Sequence, residues 1–150
     1  MLHRTKHWIA VVGSPRRGEN TERLVDVIAE ALAENSIVVK KFYLDQGQMS
    51  PCTNCEYCMQ TGNCLIDDEI TEILQAIKTA DGIILASPSY NYNVTAQMKV
   101  LLDRSFVLND YTDSLWRSRV PAGKKAILAG VCKGKTEESM GYTLEAMRKS

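Results

Sequence analysis

The sequence has no excess of charge of either sign and no long apolar run. Eighteen basic residues balance 18 acidic ones, so no overall field favours nucleic acid or an anionic membrane. The apolar run at residues 8–12 is too short for the hydrophobic region of a signal peptide, and no stretch is long enough to span a bilayer. We therefore expect a cytoplasmic protein with neither nucleic-acid nor membrane partners.

Histidine and the common nucleotide-binding motifs are also scarce. His3 and His7 both lie in the N-terminal arm, so no Cys/His nucleophilic pair is expected. No G-x-G-x-x-G motif occurs, which weakens a dinucleotide interpretation. Gly13 and Gly18 have the spacing of a nucleoside-triphosphate loop, but residues 19–20 are Glu-Asn where that loop requires Lys-Ser/Thr. ATP or GTP chemistry is therefore not expected.

The chain instead alternates short apolar runs with amphipathic stretches. Its 150 residues, without repeats, low-complexity tracts or linkers, indicate one domain. Continuous apolar strands between helices predict an α/β domain whose parallel sheet is covered on both faces. Residues 109–123 form the longest irregular segment and are a candidate functional loop. Strands are predicted over 8–12, 36–44, 82–86 and 124–131, and helices over 21–34, from Asp67 or Asp68 to about 77, and over 95–106 and 137–148.

The loop after the first strand has the composition of a phosphate site. Ligands of such sheets bind beyond the carboxyl ends of the strands. Backbone N–H groups and the dipole at a helix N-terminus attract a phosphate, and a phosphomonoester fits this loop best. The alternative is an ordinary capped loop with solvated arginines. The candidate residues are Ser14, Arg16, Arg17, Asn20 and Thr21.

Two further loops follow the next buried strands. Residues 87–94 carry planar and aromatic side chains that could hold a flat heterocycle, or could form an ordinary turn with packing tyrosines. Residues 131–137 contain a glycine and lysines that suit a wall of the same site, with Cys132 as a buried thiol at the strand end. The candidates of the first of these loops are Pro88, Ser89, Tyr90, Asn91 and Tyr92.

Four of the five cysteines fall within residues 52–64, in the pattern C-x2-C-x2-C-x5-C. In a reducing compartment such a group is expected to bind metal or to be catalytic. Structural zinc sites usually pair two C-x2-C knuckles, whereas three cysteines at three-residue steps favour an iron–sulfur cube. The fourth cysteine comes later than in ferredoxins, and no proline follows it. Zinc and a metal-free, redox-reactive thiol loop stay open as alternatives.

Taken together, these motifs resemble those of the iron–sulfur flavoproteins, a branch of the NAD(P)H-dependent FMN reductase group. The resemblance covers roughly residues 8–106 in order. It includes Gly-Ser-Pro-Arg-Arg-x-x-Asn-Thr from Gly13, the four cysteines with Gly62 and Asp67-Asp68, Ala80-Asp-Gly-Ile-Ile, Ser87-Pro-Ser-Tyr, Lys99, and Asp103-Arg104.

The resemblance implies a flavodoxin-like fold of strand order 2-1-3-4-5. Here the fifth strand and closing helix are missing before Ser150, so we expect the order 2-1-3-4 with the fourth strand at an edge. Lys99 and Asp103 are also spaced as an i,i+4 helix pair. The resemblance further implies homodimers or homotetramers. It implies an FMN phosphate on Ser14, Arg16, Asn20 and Thr21, its ring against Pro88, Tyr90, Asn91 and Tyr92, and a [4Fe-4S] cluster on Cys52, Cys55, Cys58 and Cys64.

The function expected on this basis is electron relay between a ferredoxin-like carrier, a [4Fe-4S] cluster and FMN, within one domain that carries a cysteine-rich loop at about residues 50–66. The protein would set distances and potentials while the cofactors supply the chemistry, so no catalytic acid or base is named. Two alternatives stay open. One is a cluster-free FMN reductase that takes hydride from NAD(P)H, and the other is a zinc or thiol module that senses redox state.

Overall fold

The computed structural model describes residues 4–44, 47–113 and 115–150, so His3 of the N-terminal arm lies outside the described residues. None of the helices in these ranges has both the length and the apolar character needed to cross a bilayer. The strands are β1 Lys6–Val12, β2 Ile37–Tyr43, β3 Gly82–Pro88, β4 Asn109–Asp110, β5 Arg117–Ser118 and β6 Lys125–Val131. The helices are α1 Asn20–Ala33, α2 Tyr57–Thr61, α3 Glu69–Thr79, α4 Ala96–Arg104 and α5 Thr143–Lys149, with 3-10 turns at Ser105–Leu108 and Glu137–Met140.

The main sheet has four parallel strands in the order β2-β1-β3-β6. Because β6 is the fourth strand of this sheet, the predicted order 2-1-3-4 is confirmed, and β6 is an edge within the described ranges. Val12 pairs with Ala86, and Ala86 pairs with Ala129. The carboxyl ends of β1, β3 and β6 therefore lie level, and the loops that follow them meet at one edge.

Helices cover both faces of this sheet, as the apolar strands predict. Successive strand residues point to opposite faces. Ala10 and Ile84 pack with Val25 of α1 on one face, whereas Val11 and Leu85 belong to the core of the other face. That second core also contains Ile70, Ile73 and Leu74 of α3, Met98, Leu101 and Leu102 of α4, and Met147 of α5.

Three segments differ from the prediction. The helix predicted over 137–148 is divided, because Gly141 has a φ of 55° and the Tyr142 N–H donates to the Tyr92 carbonyl at 2.7 Å. Residues 52–64, which carry the four clustered cysteines and which we call the cysteine stretch, contain the short helix α2, which was not predicted. The irregular segment 109–123 contains the antiparallel pair β4–β5.

Candidate functional site: a strand-end cleft and a cysteine pocket

The loops after β1, β3 and β6 enclose a cleft of about 340 Å³, which we call the strand-end cleft. It contains predicted residues of both the phosphate loop and the heterocycle loop, and Lys133 and Cys132 of the third loop form its wall. The three loops meet because their strands end level in the sheet. The predicted residues that line the cleft are Ser14, Arg16, Asn20, Thr21, Pro88, Ser89 and Tyr90.

The two glycines of the first loop serve different purposes. A Cβ on Gly13 would lie 2.8 Å from Met98 Cε and 3.1 Å from the Ala86 carbonyl oxygen, so close packing of β1, β3 and α4 requires glycine there. Gly18 has open space around it but a φ of 70°, which favours glycine for the backbone turn. The resemblance of this pair to a triphosphate loop therefore reflects packing and turn geometry.

Buried hydroxyls and an uncapped helix N-terminus lie at the floor of the cleft. Ser14 and Thr21 are each only 3% exposed. The Ser14 hydroxyl bonds within its own loop, to the N–H and carbonyl of Arg16, both at 3.2 Å. Glu19, the residue before α1, makes no side-chain capping bond. The first turn of α1 therefore offers N–H groups that, together with the helix dipole, suit an anion.

Glu22 braces this loop from the first turn of α1. One carboxylate oxygen accepts from the Gly18 N–H at 2.7 Å, and the other accepts from the Tyr43 hydroxyl at 2.6 Å. The Tyr43 hydroxyl, followed by the Gly18 N–H, lowers the pKa of Glu22. Sequence reasoning missed Glu22, although Glu at the third position of a helix is a known capping signal.

Three residues predicted to contact the cofactor do not line the cleft. The Arg17 guanidinium lies 3.4 Å from the centre of the Tyr43 ring, on the side of β2. Asn91 and Tyr92 adopt left-handed backbone conformations at the turn after β3, with φ values of 49° and 64°. Tyr92 is 61% exposed there, whereas Tyr90 in the same turn does line the cleft.

Cys132 was expected to be a buried strand-end thiol, and this expectation is wrong. The residue is half-buried, because it follows the last residue of β6 and stands in the cleft wall. Its sulfur lies 3.5 Å from the Gly134 carbonyl oxygen, to which the thiol donates.

The four clustered cysteines line a second cavity of about 240 Å³, which we call the cysteine pocket. Its other wall contains Arg104 of α4 and Phe106. Cys52 and Cys55 are exposed, whereas Cys58 and Cys64 are half-buried. Burial raises the pKa of the Cys58 thiol, and the charges of the other three thiols raise it further. The four cysteines thus share one pocket.

The pocket is not a ready-made metal site. Among the described residues, no group of three or more Cys, His, Asp or Glu side chains is arranged to hold a metal ion as it stands. The backbone is nevertheless tightly folded there, since Asn54 and Glu56 on either side of Cys55 have φ values of 53° and 58°. The Asn54 N–H donates to the Cys52 sulfur at 3.4 Å. Such N–H···S contacts tune thiolate-bound clusters.

Of the two residues predicted as the cap of α3, Asp67 and Asp68, the structure shows Asp68 in this role. Its Oδ1 accepts from the Ile70 and Thr71 N–H groups at 3.0 and 3.4 Å. Burial raises the pKa of this carboxyl, but the Arg104 guanidinium and the Ser50 N–H outweigh burial, so the pKa is lowered overall.

Arginines hold the cysteine stretch, and one of them was missed. Arg119 follows β5 and donates to the Cys58 carbonyl at 3.1 Å. Its position, far along the chain from the cysteines, carries no local signal of this contact. The Lys99–Asp103 pair predicted on α4 is confirmed as an ion pair.

Comparison with known proteins identifies the family. The model of the family "NADPH-dependent FMN reductase" matches residues 7–143. An iron–sulfur flavoprotein of Methanocaldococcus jannaschii is 44% identical over 97 residues, which are 65% of this chain and 50% of that protein. An iron–sulfur flavoprotein of Archaeoglobus fulgidus is 33% identical over 134 residues, which are 89% of this chain and 59% of that protein. The chain thus spans between half and about three fifths of the length of these relatives.

Structural comparison supports the fold. The NAD(P)H:quinone oxidoreductase from Methanothermobacter marburgensis superposes with a TM-score of 0.68 at 19% identity, over 90% of this chain and 70% of that one. The flavodoxin-like α/β fold expected from the sequence is thereby confirmed. The family match and the curated relatives also confirm the resemblance read from the motifs. The chain belongs to the NADPH-dependent FMN reductase family and, within it, groups with the iron–sulfur flavoproteins.

Proposed function

We propose that this protein is an FMN-dependent oxidoreductase that binds the FMN phosphate in the strand-end cleft. The observation that carries the proposal is the meeting of three strand-end loops around the uncapped N-terminus of α1, with buried hydroxyls beside it. Ser14, Thr21 and Asn20 offer neutral donors, and Arg16 offers a positive charge. This donor set fits a phosphomonoester dianion.

The same cleft contains surfaces suited to the flavin ring. Pro88 and Tyr90 line it beside the phosphate loop, and both present flat, largely apolar surfaces. We propose that Pro88, Ser89 and Tyr90 hold the ring, and that Asn91 and Tyr92 reach it only if their turn moves. Arg17 supports the site indirectly through its contact with Tyr43.

The second part of the proposal is that Cys52, Cys55, Cys58 and Cys64 hold a [4Fe-4S] cluster. The four side chains share one pocket, and thiolates are the ligands that such clusters require. When bound, the cluster exchanges single electrons and FMN exchanges one or two, which suits a relay between a ferredoxin-like carrier and a two-electron acceptor. The chain's own residues hold both groups, shield them from water and adjust the charge around them.

A second candidate function is a cluster-free FMN reductase that takes hydride from NAD(P)H. It is favoured by the match to the reductase family and by the lack of a ready-made ligand arrangement in the described residues. Both candidates share FMN and differ at the cysteine pocket. We further propose a cytoplasmic location and assembly into homodimers or homotetramers.

Anaerobic purification followed by assay of FMN, iron and acid-labile sulfide tests these alternatives. The relay predicts one FMN and about four irons with four sulfides per chain, and an absorption spectrum with both chromophores. FMN without iron would refute the cluster and support the cluster-free FMN reductase. Iron and sulfide without FMN would refute the assignment of the cleft, and zinc with neither would indicate a redox-sensing module.

A further inference from the structure

One buried arginine joins the two ends of the cysteine stretch. Arg104 lies at the end of α4, and its side chain is fully buried. Nη1 donates to the Ser50 carbonyl at 3.3 Å, and Nη2 donates to the Ile66 carbonyl at 2.9 Å. Ser50 lies two residues before Cys52, and Ile66 lies two residues after Cys64. A single guanidinium therefore fixes the separation between the points where the stretch leaves and rejoins the fold.

The guanidinium is itself held on several sides. Nη1 also lies 2.7 and 2.6 Å from the two carboxylate oxygens of Asp68, so its two hydrogens are shared among these oxygens and the Ser50 carbonyl. Nη2 also donates to the Thr71 hydroxyl at 2.9 Å, and that hydroxyl donates in turn to the Ile66 carbonyl at 2.5 Å. A planar group with several donors at fixed angles can make all these bonds, whereas a lysine ammonium cannot.

A second arginine holds the middle of the stretch. Arg119 Nη1 donates to the carbonyls of Cys58 and Val107, both at 3.1 Å. Its Nη2 lies 3.5 Å from an Asp110 carboxylate oxygen. Arg119 thus joins α2, which carries Cys58, to the turn that follows α4. The stretch is anchored at its base by one arginine and at its centre by another.

We infer that Arg104 and Arg119 are positioning residues of the thiolate centre, which they preorganise without supplying a ligand. The inference rests on the proposed function, because it takes the four cysteines to hold a metal centre. A stretch of this length between anchors loses much conformational entropy when its four sulfurs converge. The arginines remove part of that cost before the metal arrives, as outer-shell partners do at other metal sites.

Titration with Co²⁺ tests this inference without relying on activity. The full chain, loaded with FMN and kept reduced and free of metal, is titrated anaerobically while thiolate-to-cobalt charge-transfer absorption is followed. We expect Arg104→Lys to weaken Co²⁺ binding about tenfold or more, the usual effect of losing an outer-shell partner. Arg119→Lys should weaken it about threefold to tenfold, as the loss of one or two hydrogen bonds would. Arg148→Lys, in an exposed pair with Glu145, is the matched control and should bind like the wild type.

If Arg104→Lys does not fold, the variant Thr71→Val still tests the role of Arg104. It retains the Arg104–Asp68 pair and removes only the hydroxyl between Arg104 and Ile66. We expect Co²⁺ binding about threefold weaker in this variant. After reconstitution with iron and sulfide, cluster content should fall in the same order across the variants, whereas FMN content should not change.

The outcomes separate this inference from the proposed function. If the wild type loads a cluster and the folded variants bind Co²⁺ and load iron equally well, the inference is overturned and the relay stands. If the wild type binds Co²⁺ through its cysteines in an arginine-dependent manner but takes up no iron and sulfide, the inference stands and the relay falls. If the wild type binds neither, both are refuted.

Discussion

Cys58 is a residue whose chemistry the fold changes in a measurable way. Burial, and then the charges of Cys64, Cys52 and Cys55, raise the pKa of its thiol. We therefore expect that, in the metal-free folded protein, alkylation of Cys58 by iodoacetamide has its pH midpoint above the ordinary thiol value of about 8.5. Peptide mass spectrometry after timed alkylation across a pH series measures this midpoint.

The control for this experiment is Cys58 in the same protein unfolded in urea, where burial is lost and the midpoint should return to the ordinary value. Equal midpoints in the folded and unfolded protein would contradict the burial of this thiol.

Residues that are neighbours in the sequence can have different surroundings in the fold, as Arg16 and Arg17 illustrate. Arg16 lines the cleft, while Arg17 contacts Tyr43. Nothing within the loop sequence distinguishes the two arginines, since the difference depends on where β2 lies.

At the scale of elements, the N-terminus of α3 is coupled to α4 through Asp68 and Arg104. We expect Asp68→Asn to lower the free energy of unfolding at pH 7 by about 3–5 kcal/mol, because Asn can still cap the helix but leaves the buried Arg104 charge unpaired. Urea unfolding followed by circular dichroism measures the change. Asp103→Asn is the matched control, since its partner Lys99 is exposed, and it should cost less than about 1 kcal/mol.

The pH dependence of this difference has a definite sign. The fold lowers the pKa of Asp68, so its contribution is present above the ordinary value of about 3.9 and is lost as the pH falls through the folded value. The difference between wild type and Asp68→Asn should therefore be smaller at pH 3 than at pH 7. A difference that grows on acidification would show that the carboxylate is not stabilised by Arg104.

The positions of the main strands and of three helices could be predicted from periodicity and capping residues, since these signals are local. The division of the last predicted helix could not. It depends on the turn at Tyr92, which lies distant in the sequence but accepts a hydrogen bond from Tyr142. The hairpin β4–β5 also escaped prediction, because strands of two residues have no periodicity.

At the scale of the whole molecule, the strand-end cleft and the cysteine pocket share no lining residue. We therefore expect a mutation at either site to leave the other site unaffected. Ser14→Ala should weaken FMN binding about tenfold by removing a buried donor to a charged group, and should leave iron content unchanged. Cys58→Ser should abolish full cluster loading and leave FMN affinity unchanged. Fluorescence titration with FMN, together with iron and sulfide assays, measures both.

Ser105→Ala is the control for this pair, because Ser105 is half-buried but lines neither site. Loss of FMN in Cys58→Ser, or of iron in Ser14→Ala, would show that the two sites depend on one another. That result would indicate one composite site for FMN and the cluster in place of two independent sites.

The edges of the sheet lead to a prediction about assembly. Lys40 and Lys41 place charge along the β2 edge, whereas the β6 edge carries charge only at its first residue, Lys125. An edge strand with little charge leaves unpaired N–H and C=O groups with which another chain can pair. We expect sedimentation velocity to show assemblies of two or four chains, and a species of 16.8 kDa at all concentrations would contradict this.

The sequence by itself determined the α/β class of the fold and the presence of four clustered cysteines, because both follow from local pattern. It also predicted the order of the main strands, through the family resemblance of its motifs, and offered the candidate residues of the phosphate loop. Only the tertiary structure decided which candidates face the strand-end cleft, and that Arg104 and Arg119 anchor the cysteine stretch. Contacts of that kind join residues far apart in the chain, so they arise from the packing of α4 and the β4–β5 segment against the stretch and leave no periodic trace in the sequence.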